Sequence, residues 1–156
     1  MAFFYDRQKA LEYSNKWALG RNDKYYDFTY IGGDCTSFVS QCIYAGCGEM
    51  NYTPVTGWYY KTASDRTPSW TGVQYLYQFL VTNRGRGPSA EEIPLYKAEI
   101  GDIIQLGDGD VFYHSLFIAQ AGDKPSDVLI NAHTIDSYLR PVSTYYYENM
   151  RVLHIK

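Results

Sequence analysis

The chain has 156 residues, of which 14 are lysine or arginine and 17 are aspartate or glutamate, so its formal net charge at pH 7 is −3. This balance excludes the basic surface that nucleic acid or an anionic membrane would need, and no apolar run approaches the roughly 20 residues of a transmembrane helix. The length suits a single domain over residues 1–156, which we expect to be monomeric. The 3 cysteines are an odd number and argue against a disulfide framework.

Residues 1–7 lack the basic segment and the long apolar core of a secretory signal, so we expect the folded sequence to begin almost at once. Residues 5–19 are then predicted to form an amphipathic helix. Its buried stripe consists of Ala10, Leu11, Ser14, Trp17 and Ala18. The polar segment at 20–23 ends this helix.

A glycine-rich turn and a second helix follow, and they place a cysteine at a helix start. Asp34 is the expected N-cap, because its carboxylate can accept free backbone N–H groups. Cys35 begins a helix predicted over residues 35–45, which Gly46 ends. The buried face recurs at helical spacing and consists of Cys35, Phe38, Val39, Cys42 and Ile43. We interpret Cys42 as a core residue and Cys47 as an incidental loop thiol.

Two interpretations of Cys35 remain open from the helix alone. The helix dipole and the unpaired amides of the first turn favour the thiolate, which is the nucleophilic form. A free cysteine on an apolar face is, however, commonly a small core residue.

The chain contains 17 tyrosines and 3 tryptophans, and several of them fall in a segment without a clean hydrophobic period. Residues 48–70 are predicted to be an extended loop, followed by a helix from Thr71 to Leu80. Because exposed aromatic side chains are costly, we predict that some of these residues line a substrate groove. The predicted groove residues are Trp58, Tyr59, Trp70 and Tyr113. Packing into a β-rich core is the alternative.

Alternating patterns and turn residues predict strands in the second half of the chain. These strands cover residues 101–106, 111–120, 127–134 and 150–155. Helices first and antiparallel strands afterwards predict an α+β fold, in which the cysteine helix packs on a C-terminal sheet.

Two of the 3 histidines fall where neighbouring strands could bring them together. If Gln120 pairs with Asp127 across the turn, His114 lies opposite His133, within reach of ring-to-ring hydrogen bonding. A cysteine nucleophile needs an imidazole and a polar group that orients the imidazole. Asn131, a diagonal neighbour of His114, is the competing orienting residue.

One cysteine and two histidines could also bind zinc, but the closely spaced ligand pairs of zinc sites are missing from the sequence. The segment 107–110 loosely resembles a calcium loop without its ordered carboxylates. We therefore expect neither a metal nor another cofactor, and a zinc hydrolase is the weaker alternative.

Several segments together resemble the bacterial "putative amidase domain" family, which belongs with the NlpC-type and CHAP-type papain-like hydrolases. The resemblance lies in residues 32–41, 58–60, 69–70, 101–104, 113–115 and 132–134. It implies a papain-like α+β fold, with a cysteine helix packed on an antiparallel sheet that carries the histidine. It also implies hydrolysis of amide bonds in bacterial peptidoglycan, without a cofactor.

The resemblance also implies roles for individual residues. Cys35 matches the nucleophile and His114 the general base, the two forming a thiolate–imidazolium pair. His133 matches the third catalytic residue best, with Asn131 as the alternative. The Cys35 backbone N–H would meet the oxyanion together with a side-chain donor. The candidates for that donor are Tyr5 and Gln41.

These inferences predict a peptidoglycan hydrolase that acts outside the cell on the bacterial wall. An N-acetylmuramoyl-L-alanine amidase is favoured, for example the catalytic domain of a phage endolysin released by lysis or holin-type export and joined to a wall-binding domain. A bacterial protein whose signal was removed is the other source. A stem-peptide endopeptidase is the alternative reaction, and a non-catalytic glycan- or peptide-binding module is the alternative of another class.

Overall fold

The computed structural model describes residues 3–156, which contain four α-helices and eight β-strands. The helices are α1 (Arg7–Trp17), α2 (Cys35–Cys47), α3 (Pro68–Thr71) and α4 (Val73–Thr82). The strands are β1 (Tyr60–Thr62), β2 (Asp65–Arg66), β3 (Ala90–Ile93), β4 (Ile103–Asp108), β5 (Val111–Gln120), β6 (Leu129–Ala132), β7 (Ser137–Pro141) and β8 (Asn149–Ile155). Strands β3–β8 form one antiparallel sheet in the order β3-β8-β4-β5-β6-β7. The predicted α+β class is thereby confirmed.

Alternation along the strands gives this sheet two apolar faces. One face packs against the helices through Ile103, Phe117, Leu153 and Ile155. The opposite face includes Ile104, Leu106, Leu116, Ile118 and Val152, and it is covered by irregular segments rather than by a long helix within residues 3–156. Every helix in this described part of the chain is too short or too polar to cross a membrane.

Helix α2 is buried along most of its length and forms the centre of the helix layer. The sequence had predicted that Gly46 ends this helix, and that prediction is wrong. The helix continues to Cys47, and Gly48 ends it in the left-handed conformation at φ 65°. Gly46 is small for another reason, since a Cβ there would lie 2.6 Å from a ring carbon of Tyr5.

Residues at and just before the start of α1 are fixed to α2 and to the sheet. The Tyr5 hydroxyl donates to the Gly101 carbonyl at 2.8 Å. The Arg7 guanidinium donates to Asp102 Oδ1 at 2.7 Å and to the Ile155 carbonyl at 2.6 Å. Asp102 is fully buried, so this ion pair anchors the start of the described chain beside its last strand.

The central segment is more ordered than the predicted loop over residues 48–70. An isolated bridge joins Asn51 to Trp58, and β1 and β2 form a short hairpin. The predicted helix from Thr71 to Leu80 is two helices, α3 and α4, because the backbone is extended at Gly72. Strands β3 and β7 were not predicted.

The predicted register between the two histidine strands is wrong. Gln120 pairs with Leu129 rather than with Asp127, and Phe117 pairs with Asn131. An irregularity between Ile118 and Gln120 shifts the pairing. A shift of one residue exchanges the two faces of a strand, so His114 and His133 are not the opposed pair that the sequence suggested.

Candidate active site

Cys35 is the first residue of α2, and its side chain is 9% exposed. Asp34 occupies the N-cap position, but its side chain makes no capping hydrogen bond. Its Oδ1 instead accepts from the Phe28 N–H at 2.9 Å. The first backbone hydrogen bond of the helix within residues 3–156 runs from the Phe38 N–H to the Asp34 carbonyl. Among the described residues, the Cys35 N–H has no hydrogen-bond partner and is left available to an incoming oxygen.

Cys35 and His114 line one open cavity of about 390 Å³. His114 comes from β5, next to Ser115, whose Oγ lies 2.9 Å from Oγ1 of Thr36. This contact joins the start of α2 directly to the histidine strand. The other lining residues are Gly32, Gly33, Tyr113, Thr134, Ile135, Arg140 and Tyr145. Both glycines have positive φ values, 82° and 95°, which is why this turn needs glycine.

The electrostatics of the pocket favour a neutral thiol and a neutral imidazole. Burial, and then the positive charge of Arg140, lower the pKa of His114 from 6.5 to about 4. Burial also raises the pKa of Cys35, against smaller opposite effects of the Ser115 N–H and of the hydroxyl and N–H of Thr36. Among the described residues, no hydrogen bond joins the thiol to the imidazole. These shifts oppose the predicted thiolate–imidazolium pair in the resting protein.

His133 lies just beyond β6, and it contacts the start of α2 rather than His114. Its side chain is 1% exposed. Nδ1 lies 2.7 Å from Asp34 Oδ2, and Nε2 lies 2.8 Å from the Trp17 carbonyl oxygen. The ring also stacks on Phe38, with centroids 4.1 Å apart. The predicted orienting contact from His133 to His114 is therefore wrong, and His133 instead fixes the residue that precedes Cys35.

Asn131, the alternative third residue, is also engaged elsewhere. Its Nδ2 donates to Ser14 Oγ and to Asn15 Oδ1, both at 2.9 Å, and its Oδ1 accepts from the Leu139 N–H at 2.9 Å. These bonds attach β6 to α1 and to β7. Because the side chain is fully buried and its amide is used there, it does not orient His114.

Neither Tyr5 nor Gln41, the predicted side-chain oxyanion donors, is among the residues that line the pocket of Cys35. Tyr5 packs against Gly46, roughly 16 Å along α2 from Cys35 at about 1.5 Å per residue. Gln41 lies roughly 9 Å along the same helix, where its Nε2 donates to Ser37 and its Oε1 accepts from the Tyr13 hydroxyl. Tyr5 is thereby separated from the thiol by most of the length of α2, whereas the Gln41 amide is engaged by Ser37 and Tyr13 and does not line the pocket.

The aromatic residues predicted to bind substrate divide between core and surface. Trp58 and Trp70 are fully buried, with centroids 4.7 Å apart, and Trp58 donates to Ser40 Oγ. Tyr59 donates to Asp65 beside the β1–β2 hairpin. The groove prediction is wrong for Trp58 and Trp70, because their aromatic surface is used in packing, and Tyr59 is half-buried and does not line the pocket of Cys35. Tyr113 is 47% exposed and does line the pocket of Cys35.

Sequence reasoning missed Arg140 and Tyr145. The Arg140 guanidinium carbon lies 3.6 Å from the centre of the Tyr145 ring, and that ring meets His114 edge-on at 5.5 Å. β7 carries no apolar alternation, so the sequence held no signal that would bring Arg140 to this pocket. Among residues 3–156, no cluster of three or more acidic, histidine or cysteine side chains could hold a metal ion.

The fold and the pocket define an α+β protein with a candidate cysteine–histidine site at a helix start. Residues 4–155 match the family described as "Putative amidase domain", and the chain belongs to that family. This confirms the resemblance to the putative amidase domain family and supports hydrolase activity of the amidase type.

The chain is also similar to a curated protein, "Uncharacterized protein YhbB" of Bacillus subtilis (strain 168). The two are 35% identical over 147 residues, which cover 89% of this chain and 44% of that protein. The chain thus spans less than half the length of this relative. No solved structure matches the present chain.

Proposed function

We propose that this chain hydrolyses an amide bond of bacterial peptidoglycan, with Cys35 as the nucleophile and His114 as the general base. The observation that carries the proposal is that a helix-start cysteine and a strand histidine line the same open pocket. Membership of an amidase family supports the reaction class. A helix packed on an antiparallel sheet also fits the papain-like arrangement, including that of NlpC-type and CHAP-type hydrolases.

The resting charges decide how the first step proceeds. Because both groups are neutral in the pocket, His114 removes the proton from the Cys35 thiol as the sulfur attacks the scissile carbonyl. The first-turn amides of α2, which the Asp34 side chain leaves uncapped, stabilise the oxyanion that forms. His114 then gives its proton to the leaving amine. Water, deprotonated by the same imidazole, hydrolyses the thioester and restores both groups.

An N-acetylmuramoyl-L-alanine amidase is the favoured activity, because one exposed tyrosine lines the pocket and two more lie close in sequence to its lining residues. Tyr113 lines it, Tyr30 precedes the glycine turn at 95% exposure, and Tyr146 follows the pocket residue Tyr145 at 85% exposure. Flat aromatic faces suit a sugar ring beside the scissile bond. We propose that the protein acts on the wall outside the cell, as a monomer.

Mutation of Cys35 tests the proposal, with Cys47 as the matched control. Cys47 is a half-buried thiol whose Sγ donates to the Glu49 carbonyl, and it lies at the other end of α2. We expect Cys35→Ala to abolish the release of new amino groups from purified peptidoglycan, while Cys47→Ala retains it. Undiminished release by Cys35→Ala refutes the mechanism.

Mass spectrometry of the released fragments distinguishes the possible reactions. Intact stem peptides separated from N-acetylmuramic acid indicate the amidase, whereas peptides cut internally indicate the endopeptidase. Binding to the wall without new amines, unaffected by alkylation of the thiol, indicates a non-catalytic module and refutes the proposed function.

A further inference from the structure

One side of the Cys35 pocket carries a fixed positive charge. Arg140 lines this pocket with Cys35 and His114, and no aspartate or glutamate within residues 3–156 is among the lining residues. His114 adds no charge near neutral pH, because its pKa lies at about 4. The arginine therefore sets the charge that a bound substrate meets.

The Arg140 guanidinium is held in place without an acidic partner. Its Nε donates to Thr144 Oγ1 at 2.7 Å, and one Nη donates to the Thr144 carbonyl at 3.1 Å. The Tyr145 ring lies beneath the guanidinium at 3.6 Å, which adds a cation–π attraction. In the described part of the chain, Arg140 forms no ion pair, and its second Nη has no acceptor.

Arg21, unlike Arg140, has carboxylate partners for its guanidinium. The Arg21 guanidinium meets both Asp136 oxygens, at 2.8 and 2.9 Å, and it also meets Asp27 at 3.1 Å. Arg140 is oriented by Thr144 and Tyr145 instead of by a carboxylate, and it lines a cavity that is open to solvent. A planar guanidinium that retains free donors matches the two oxygens of a carboxylate.

We propose that Arg140 binds a carboxylate group of the substrate, next to the amide bond that Cys35 attacks. The position of the scissile amide in this inference rests on the proposed function. Such a substrate is a short peptide that carries both the scissile amide and the carboxylate, close enough together for both to fit in the pocket. A neutral carboxamide at that position loses the charge-assisted hydrogen bonds.

Two probes that differ in one group test this inference by binding rather than by turnover. The first probe is N-acetylmuramoyl-L-alanyl-D-glutamate with a free α-carboxylate and an amidated γ-carboxyl; the second is its α-carboxamide. Each is titrated calorimetrically into the Cys35→Ala protein. We expect the carboxylate probe to bind about tenfold more tightly or better.

Further variants in the Cys35→Ala background isolate the guanidinium. Arg140→Gln should bring the two affinities within about twofold of each other, and Arg140→Lys should retain part of the preference, because it keeps the charge without the planar fork. Arg84→Gln is the matched control, since Arg84 is exposed and, among residues 3–156, its side chain bonds only to the neighbouring Asn83 carbonyl. Thermal unfolding shows that each variant is folded.

Equal affinities in the Cys35→Ala protein, no binding of either probe at millimolar concentration, or a preference that survives Arg140→Gln overturns the inference. Failure of the proposed function has a different signature. In that case the protein with Cys35 intact cleaves neither the carboxylate probe nor peptidoglycan, while the binding preference persists.

Discussion

Under the proposed mechanism, in which His114 is the general base, acidification should leave catalysis intact well below the pH at which an ordinary histidine is protonated. A general base must be neutral, and burial together with Arg140 lowers the pKa of His114 from 6.5 to about 4. This difference in pKa means that protonating His114 costs about 3 kcal/mol more in the folded protein than in an unperturbed histidine. The acid limb of kcat/KM, which reports the free enzyme, should therefore fall near pH 4.

The same pKa can be measured without any substrate. The chain has only 3 histidines, so their imidazole C–H resonances are readily followed by NMR, and His114→Gln assigns the resonance of interest. Arg140→Gln should raise the pKa of His114 part of the way towards 6.5, because burial, the larger cause, remains. A His114 resonance that titrates near pH 6.5 in the intact protein refutes the reasoning.

Stability should follow the same difference between the folded and unfolded states. Below pH 6.5 the unfolded chain binds a proton at His114 that the folded protein does not bind until about pH 4. The free energy of unfolding should therefore decrease as the pH falls through this interval, by up to about 3 kcal/mol from this residue. Urea denaturation at several pH values should show that His114→Gln removes this part of the decrease. If the free energy of unfolding of His114→Gln decreases with pH as much as that of the unmodified protein, the prediction is contradicted.

Three further substitutions test the packing around the site. Tyr5→Phe removes the buried hydrogen bond to the Gly101 carbonyl and should lower the free energy of unfolding by about 1 kcal/mol without changing kcat; a large loss of kcat would restore Tyr5 as an oxyanion donor. Gly46→Ala places a Cβ 2.6 Å from the Tyr5 ring and should destabilise the protein by about 1–3 kcal/mol in thermal unfolding, so an unchanged Tm contradicts the contact. His133→Ala removes one hydrogen-bond partner of the buried Asp34 carboxylate, which keeps the Phe28 N–H and Arg21, and should cost about 1–3 kcal/mol in urea denaturation, whereas a negligible cost would show that this pair does not support the helix start.

The parts of the fold that the sequence predicts best are those where local pattern and local structure coincide. The helix start at Cys35 and the whole of β5 (Val111–Gln120) occur where the periodicity places them. The end of α2 was misplaced because Gly46 is required by a contact with Tyr5, which lies far away in sequence. A glycine that makes room for a neighbour has the same local signature as a glycine that ends a helix.

The candidate site was harder to predict, because it depends on strand pairing. A single irregularity near Gln120 moves His133 from the face of His114 to the side of Asp34. No local pattern distinguishes that register from the predicted one. The burial of Trp58 and Trp70 in one cluster could not be foreseen either, since an aromatic residue in a loop suits a core as well as a groove.

The contact between Arg7 and the Ile155 carbonyl has a consequence for how this domain can be attached to others. Both ends of the described chain leave the fold side by side, near Tyr5 and Gly46, at the end of α2 opposite to Cys35. A linker at either end would therefore join the domain on the side away from Cys35 and leave the pocket unobstructed. A short glycine–serine linker could also close the two ends into a ring, so that a circular permutant opened in an exposed turn should retain the site.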